Sequence, residues 1–131
     1  MDMEIFFPGN KRVSARYKGF TIDTDQAAGD GGDGSAPAPF DLFLASIGTC
    51  AGLYVLSFLQ QRGLPPEGAG IVMTQERNPE TRLVSKIHLE IKLPAGFPDK
   101  YRDAVVRAAE TCAVKRHLDN PPAFETHVTV A

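Results

Sequence analysis

Three short runs carrying apolar residues, 3–7, 13–18 and 20–24, open the chain, separated by Pro8-Gly9-Asn10 and by Gly19. Runs of this length closed by turn residues predict an antiparallel meander of three strands. The pattern breaks off over residues 27–39, rich in Gly, Asp, Ala and Pro, which predicts a loop. It then changes period. Between Asp41 and Arg62 there is no charged residue, and apolar side chains occupy nearly every helical face. Pro39 suits the first turn of a helix, Asp41 places a negative charge against the positive end of its dipole, and Gly63 can take the left-handed conformation that stops it. A helix that is apolar all round must be covered all round.

Residues 71–77 read as a strand, and Asn78-Pro79-Glu80 turns the chain back. Residues 83–93 give the clearest alternation, with Ile87, Leu89, Ile91 and Leu93 on one face and Lys86, His88, Glu90 and Lys92 on the other. A sheet with one wet face is expected to be antiparallel. Residues 98–110 predict a second helix that turns Tyr101, Val105, Ala108 and Cys112 inward and Lys100, Asp103 and Arg107 to water. Thr111 is a candidate N-cap for a third helix starting at Cys112 and running to Asn120-Pro121-Pro122. Phe124, Val128 and Val130 alternate as a last strand.

The order βββ-α-ββ-α-α-β predicts an α+β fold in one domain, residues 1–131, with an antiparallel sheet wrapping a long central buried helix. A sheet covers one side of that helix. A partner chain is the economical cover for the other, so a dimer is expected.

Composition narrows the function classes. The uncharged run is long enough to raise a membrane span, but Ser46, Gly48, Thr49, Gly52, Ser57, Gln60 and Gln61 dilute it and no basic cluster flanks it. Over the whole chain, 23% charged residues and 43% hydrophobic content are ordinary for a globular protein. A net charge of −2 gives no reason to expect nucleic acid or an anionic membrane as partner. Asp2 and Glu4 make the start acidic, without the basic stretch of a signal peptide, so a cytoplasmic protein is expected.

In that compartment the two cysteines, Cys50 and Cys112, 62 positions apart, are either inert core thiols or a redox pair. As a pair they would act through a thiolate that becomes a sulfenic acid and is captured by the other thiol as a disulfide. Cys112 would gain from backbone N–H groups if it opens a helix, whereas Cys50 in mid-helix needs a cation nearby. Asp23, Asp25, Asp30 and Asp33 surround the glycine-rich loop but lack EF-hand spacing, so a solvated loop is the expectation. Its glycines lack the strand–Gly-x-Gly-x-x-Gly–helix context of a nucleotide site. Cys112, His117 and His88 lack zinc-ligand spacing. No metal and no cofactor is expected.

Two motifs resemble those of the OsmC/Ohr superfamily. Pro39-Phe40-Asp41-Leu42, followed by an apolar helix to Cys50, is similar to the first cysteine motif: a Pro, an acidic residue, an apolar helix and a Cys. Cys112-Ala113-Val114-Lys115-Arg116-His117-Leu118 resembles the second, usually Cys-Pro-Val with a Leu four residues on. The resemblance extends from about residue 13 to the end of the chain, and the element order agrees with it. It implies an intertwined homodimer with its sites at the subunit interface. In the peroxide-reducing members both cysteines act on organic hydroperoxides, with electrons from dihydrolipoyl proteins or other thiols. Those members place a Glu ten residues before the first Cys, where it orients an Arg over the thiolate. Here that position is Phe40 and the carboxylate is Asp41, turned by about 100° on the helix. The candidate cations are Arg16 and Arg12, with Arg16 the better placed in its strand. The chain thus resembles the OsmC-like branch more than a typical Ohr hydroperoxidase.

The resulting expectation is a thiol-dependent redox protein of oxidative stress defence. Cys50 attacks an organic hydroperoxide or related electrophile, Cys112 resolves, and Arg16 and Asp41 complete the site. The competing expectation is a non-catalytic dimer of the same fold that holds a small apolar ligand and keeps both cysteines reduced.

Overall fold

The computed structural model describes residues 2–131, with Met1 outside the described residues. It is a mixed α+β structure with two compact units, one running to Ala45 and the other from Ser46 onward.

In the first unit, β1 (Glu4–Gly9), β2 (Arg12–Tyr17) and β3 (Phe20–Thr24) form the expected antiparallel meander in the order β1-β2-β3. Lys18 and Gly19, both with positive φ, close the β2–β3 hairpin behind the Tyr17–Phe20 pair, as a two-residue turn matched to strand twist requires. The register puts Ile5, Ala15 and Ile22 in one cross-strand row and Phe6, Ser14 and Asp23 in the next. Neighbouring rows point to opposite faces. One face is therefore apolar, and Ile5, Phe7, Phe20 and Ile22 on this sheet are open to solvent in the single chain.

The chain then passes through a 3-10 turn, Ala28–Asp30, to the start of α1 (Pro39–Gln61). Asp41 and Leu42 donate their amides to the carbonyl of Ala38, and the Asp41 carboxylate accepts the amide of Ala38 at 3.2 Å. That return bond is the second half of a capping box, with Ala38 at the cap and Asp41 three residues on.

The second unit holds the core. The rest of α1 buries Ile47, Ala51, Val55, Phe58 and Leu59, a stripe at the three- and four-residue spacing that places side chains on one helical face. Gly63, at φ +64, ends the helix as expected. Its amide bonds to Gln60 and that of Leu64 to Leu59, the paired bonds of a Schellman stop that a residue with a Cβ would adopt only with strain.

The strands β4 (Gly70–Arg77) and β5 (Val84–Lys92) form an antiparallel hairpin. Ile71 pairs with Ile91, Met73 with Leu89 and Gln75 with Ile87. Ile71, Ile91 and Leu93 pack against the α1 stripe, while His88 pairs with Glu76 at 2.7 Å and Lys92 with Glu90 at 2.9 Å outside. A 3-10 turn, Asp99–Tyr101, leads into α2 (Arg102–Glu110), which contributes Val105 and Ala109 to the core. The third helix, α3, is Ala113–Asp119.

Three details differ from the sequence reading. Thr111 does not cap α3. Its hydroxyl bonds back to the Ala108 carbonyl at the end of α2, and Cys112 holds the extended N-cap position without a side-chain cap bond. Residues 121–131 form no strand, and Phe124, Val128 and Val130 are 84–89% exposed. An alternating segment becomes a strand only when its N–H and C=O groups find a neighbouring strand, and no residue of this segment takes part in strand pairing. Finally, α1 is not buried all round in the single chain: Leu53 is 57% exposed, and Leu56 is also open. By length and composition α1 is apolar enough to cross a bilayer, a test that a core helix of a soluble protein also passes.

Candidate functional site

Both cysteines belong to the second unit and both are free thiols. Cys112 is 1% exposed and forms part of the buried cluster with Ala51, Val55, Leu59, Val105 and Ala109. Cys50, on α1 beside Ala51, is half-buried and packs against that cluster. The fold therefore carries one reachable thiol and one enclosed thiol on a common core. A partly exposed cysteine can meet an electrophile directly, whereas an enclosed one reacts with what is brought to it.

A cavity of about 380 Å³ adjoins Cys112. Its walls are aliphatic: Ile47 from α1, Ile87 and Ile91 from β5, Val106 from α2 and Leu118 from α3. Glu110 and Lys115, both exposed, bring the two charges that α2 and α3 contribute to its lining. His88 also contributes to the lining, but its Nε2 is held by Glu76. Cys50 does not line this cavity. Lys115 enters the sequence reading only as a member of the second motif, with no role of its own. Its signal was the three-residue spacing from Cys112, which returns to one helical face.

The candidate cations lie in the first unit, and each has a local partner. Arg16 stands 4.4 Å from the centroid of the Phe6 ring and pairs with Glu4 at 3.8 Å. Arg12 pairs with Asp33 at 3.0 Å. The Asp41 carboxylate holds the start of α1, as described above. Phe40, at the position of the family's Glu, lies 5.4 Å from Phe43 between ring centroids. His117 engages the Ala113 carbonyl through Nδ1 at 2.7 Å, within its own helix. Among the described residues no group of three or more His, Cys, Asp and Glu side chains is arranged to hold a metal ion.

Asp25, which the sequence places only among the acids of a solvated loop, is a correction to that expectation. It is completely enclosed. Its Oδ1 accepts the amide of Gln26 at 2.7 Å, and its Oδ2 accepts both the amide and the hydroxyl of Ser35. These bonds, the Ser35 hydroxyl first, outweigh the effect of burial and hold the carboxyl at about 2, down from 3.8. Around it the loop is laced together. Gly34 donates to the Gln26 carbonyl, Asp25 donates its own amide to Pro37, and the Asn10 side chain reaches Gly31. A Cβ at Gly32 would overlap the Gln26 carbonyl oxygen. The expected solvated loop is a built one. The signal was an Asp followed by glycines and a Ser ten positions on, too general a pattern to read without the backbone in view.

An OsmC-like protein family model matches residues 32–127. No curated protein matches the sequence. Solved structures do. One is a candidate osmotic-stress-induced and detoxification-response protein from Psychrobacter arcticus, 24% identical, with a TM-score of 0.73 over 87% of this chain and 85% of that one. An OsmC-like protein from Mycoplasma pneumoniae gives 13% identity and a TM-score of 0.71 over 92% and 87%. A Legionella pneumophila organic hydroperoxide resistance protein OsmC gives 18% and 0.55 over 89% and 87%. At these identities the structures speak for the fold. With a family model matched over well more than half its length, this chain belongs to the OsmC-like family.

Proposed function

We propose that this protein is a thiol-dependent reductant of organic hydroperoxides or related electrophiles, working as an intertwined homodimer through Cys50 and Cys112. The observation that carries the reading is the pair of free thiols on one core, one half-exposed and one enclosed. Family membership, and the fold shared with a protein named for organic hydroperoxide resistance, support it. The Cys50 thiolate attacks the terminal oxygen of ROOH, the O–O bond breaks, and the alkoxide leaves as ROH after taking a proton. Cys50 is then a sulfenic acid. The Cys112 thiol displaces its oxygen as water, giving a disulfide, and a dihydrolipoyl or other dithiol returns both cysteines to thiols. Arg16 is the proposed thiolate partner, in preference to Arg12: its ion pair, with Glu4 at 3.8 Å, is looser than the 3.0 Å pair of Arg12 with Asp33.

The test is stoichiometric. Reduced protein is given one equivalent of cumene hydroperoxide, and its cysteines are mapped by mass spectrometry. The expected product is an intramolecular Cys50–Cys112 disulfide that does not form in Cys50→Ser. Two free thiols after prolonged exposure would overturn the reading. The aliphatic cavity would then favour the second one, a dimer that binds a small apolar ligand with both cysteines reduced.

A further inference from the structure

We propose that Met73 is an oxidation site. Conversion of its thioether to a sulfoxide by a hydroperoxide loosens the β4–β5 hairpin from α1 and makes the enclosed Cys112 reachable.

Packing carries the inference. A Cβ built on Gly48 would stand 2.5 Å from Met73 Sδ, closer than real Cβ atoms approach, whereas one on Gly52 would meet only Ile71 Cδ1, at 4.0 Å. The two glycines are four residues apart on α1, a step of about 6 Å. Met73 and Ile71 are two residues apart on one face of β4, a step of about 6.6 Å. The matching steps let β4 run along the helix here, with Gly48 as the closest approach. The sulfur therefore rests on α1 where no side chain separates strand from helix, and the amides of that backbone are bonded within α1. Met73 is half-buried and pairs with Leu89, next to the Ile71–Ile91 pair. Ile71 and Ile91 pack against the buried cluster that holds Cys112. The inner face of the hairpin is thus part of the cover over that thiol.

In the oxidation, the Met73 sulfur attacks one oxygen of the peroxide. The O–O bond breaks, the sulfur loses two electrons and keeps the oxygen, and the other oxygen leaves with the proton as an alcohol or water. An apolar side chain then carries a strong acceptor. Turned toward α1, that oxygen meets no free donor, and an unpaired polar group inside a packed face is destabilising. The hairpin relieves it by moving off the helix.

No thiol takes part in this step, so it stands apart from the redox reading. Its first test uses thiol-free Cys50→Ser/Cys112→Ala protein and excess hydrogen peroxide, with Met3 and Met73 followed by peptide mass and the backbone by hydrogen exchange. Met3, 51% exposed, is the internal control, expected to oxidise first and to change nothing in the hairpin. Once Met73 carries its oxygen, the amides of β4 and β5 should exchange roughly tenfold faster. The second test needs no oxidant. In Cys50→Ser protein, Met73→Gln, a polar side chain of similar length, should speed alkylation of Cys112 by N-ethylmaleimide roughly fivefold, and Met73→Leu should not. Gly48→Ala should act like Met73→Gln, and Gly52→Ala should act like the parent. The proposal is overturned if Met73 stays a thioether after Met3 is fully oxidised, if its sulfoxide leaves exchange unchanged, if Met73→Gln leaves Cys112 as slow as before, if Met73→Leu speeds it equally, or if the two glycine substitutions act alike. Failure of the disulfide to form in the stoichiometric peroxide test would leave all of these outcomes untouched.

Discussion

The hydroxyl of Ser35 donates to the enclosed carboxylate of Asp25 across ten positions of chain, and the Ser35 amide joins it at 3.0 Å. One side chain thereby sets the conformation of the loop that precedes α1. A carboxylate that accepts several N–H and O–H bonds is stabilised in its charged form, so its folded value drops below the unfolded one.

The sign of the pH effect follows. Because the folded value, about 2, lies below 3.8, the contribution of Asp25 is fully present above roughly pH 4 and is lost as pH falls through about 2. Urea unfolding measured between pH 5 and pH 2 should show a falling midpoint in the wild type. The fall should be shallower in Ser35→Ala, which begins less stable because the main partner is gone. Equal slopes in the two proteins would show that Asp25 is not the group responsible.

Gly32 tests the same loop by shape rather than charge. A Cβ there would run into the Gln26 carbonyl and stand 2.8 Å from Asp25 Oδ1, whereas one at Gly29 meets nothing within 4 Å. Gly32→Ala should lower the melting temperature and speed hydrogen exchange at the Ser35 amide. Gly29→Ala should stay within about 0.5 kcal/mol of wild type, as surface substitutions usually do. Matching effects from both substitutions would mean the loop is not held by this contact.

Much of this fold was legible from local signals. The hairpin of β4 and β5 was visible because Ile87, Leu89 and Ile91 alternate with charged residues, and the α1 stop because Gly63 follows a long uncharged run. These are short-range rules of period and turn chemistry. Asp25 was hidden for the opposite reason: its importance comes from where Ser35 and Gln26 place their donors, which no periodicity encodes. The last strand was misread because alternation at Phe124, Val128 and Val130 states only that two faces differ. Strand pairing depends on a neighbour elsewhere in space. For the site, the motifs found both cysteines, but they gave no sign that Arg12 and Arg16 each have an acidic partner nearby.

Asp41 offers a direct way to separate architecture from catalysis. Its carboxylate accepts the Ala38 amide at 3.2 Å and closes the cap of α1. Asp41→Ala should cost about 0.5–2 kcal/mol, the range for losing a cap, read from chemical denaturation. The rate of peroxide-driven disulfide formation should stay within twofold of wild type at a temperature where both are folded. A hundredfold slower rate with unchanged stability would instead place Asp41 in the reacting site.

The two sides of α1 give the sharpest contrast. Leu59 is 1% exposed and sits in the core with Val105, while Leu53 is 57% exposed in the single chain. Leu59→Ala removes packed atoms from a closed site and should destabilise the protein by about 2–5 kcal/mol. Leu53→Lys removes nothing from that core and should leave the single chain's stability nearly unchanged. In the proposed homodimer, however, the open side of α1 is the surface that a second copy covers, and a charge introduced there would be buried without a partner. Sedimentation analysis should then show wild type and Leu59→Val as dimers, and Leu53→Lys shifted to monomer by at least tenfold in dissociation constant. A Leu53→Lys protein that remains as tightly dimeric as wild type would mean that this side of α1 faces water in the assembly. The second copy must in that case seat elsewhere, and the exposed apolar row of Ile5 and Ile22 on the meander becomes the surface to test next.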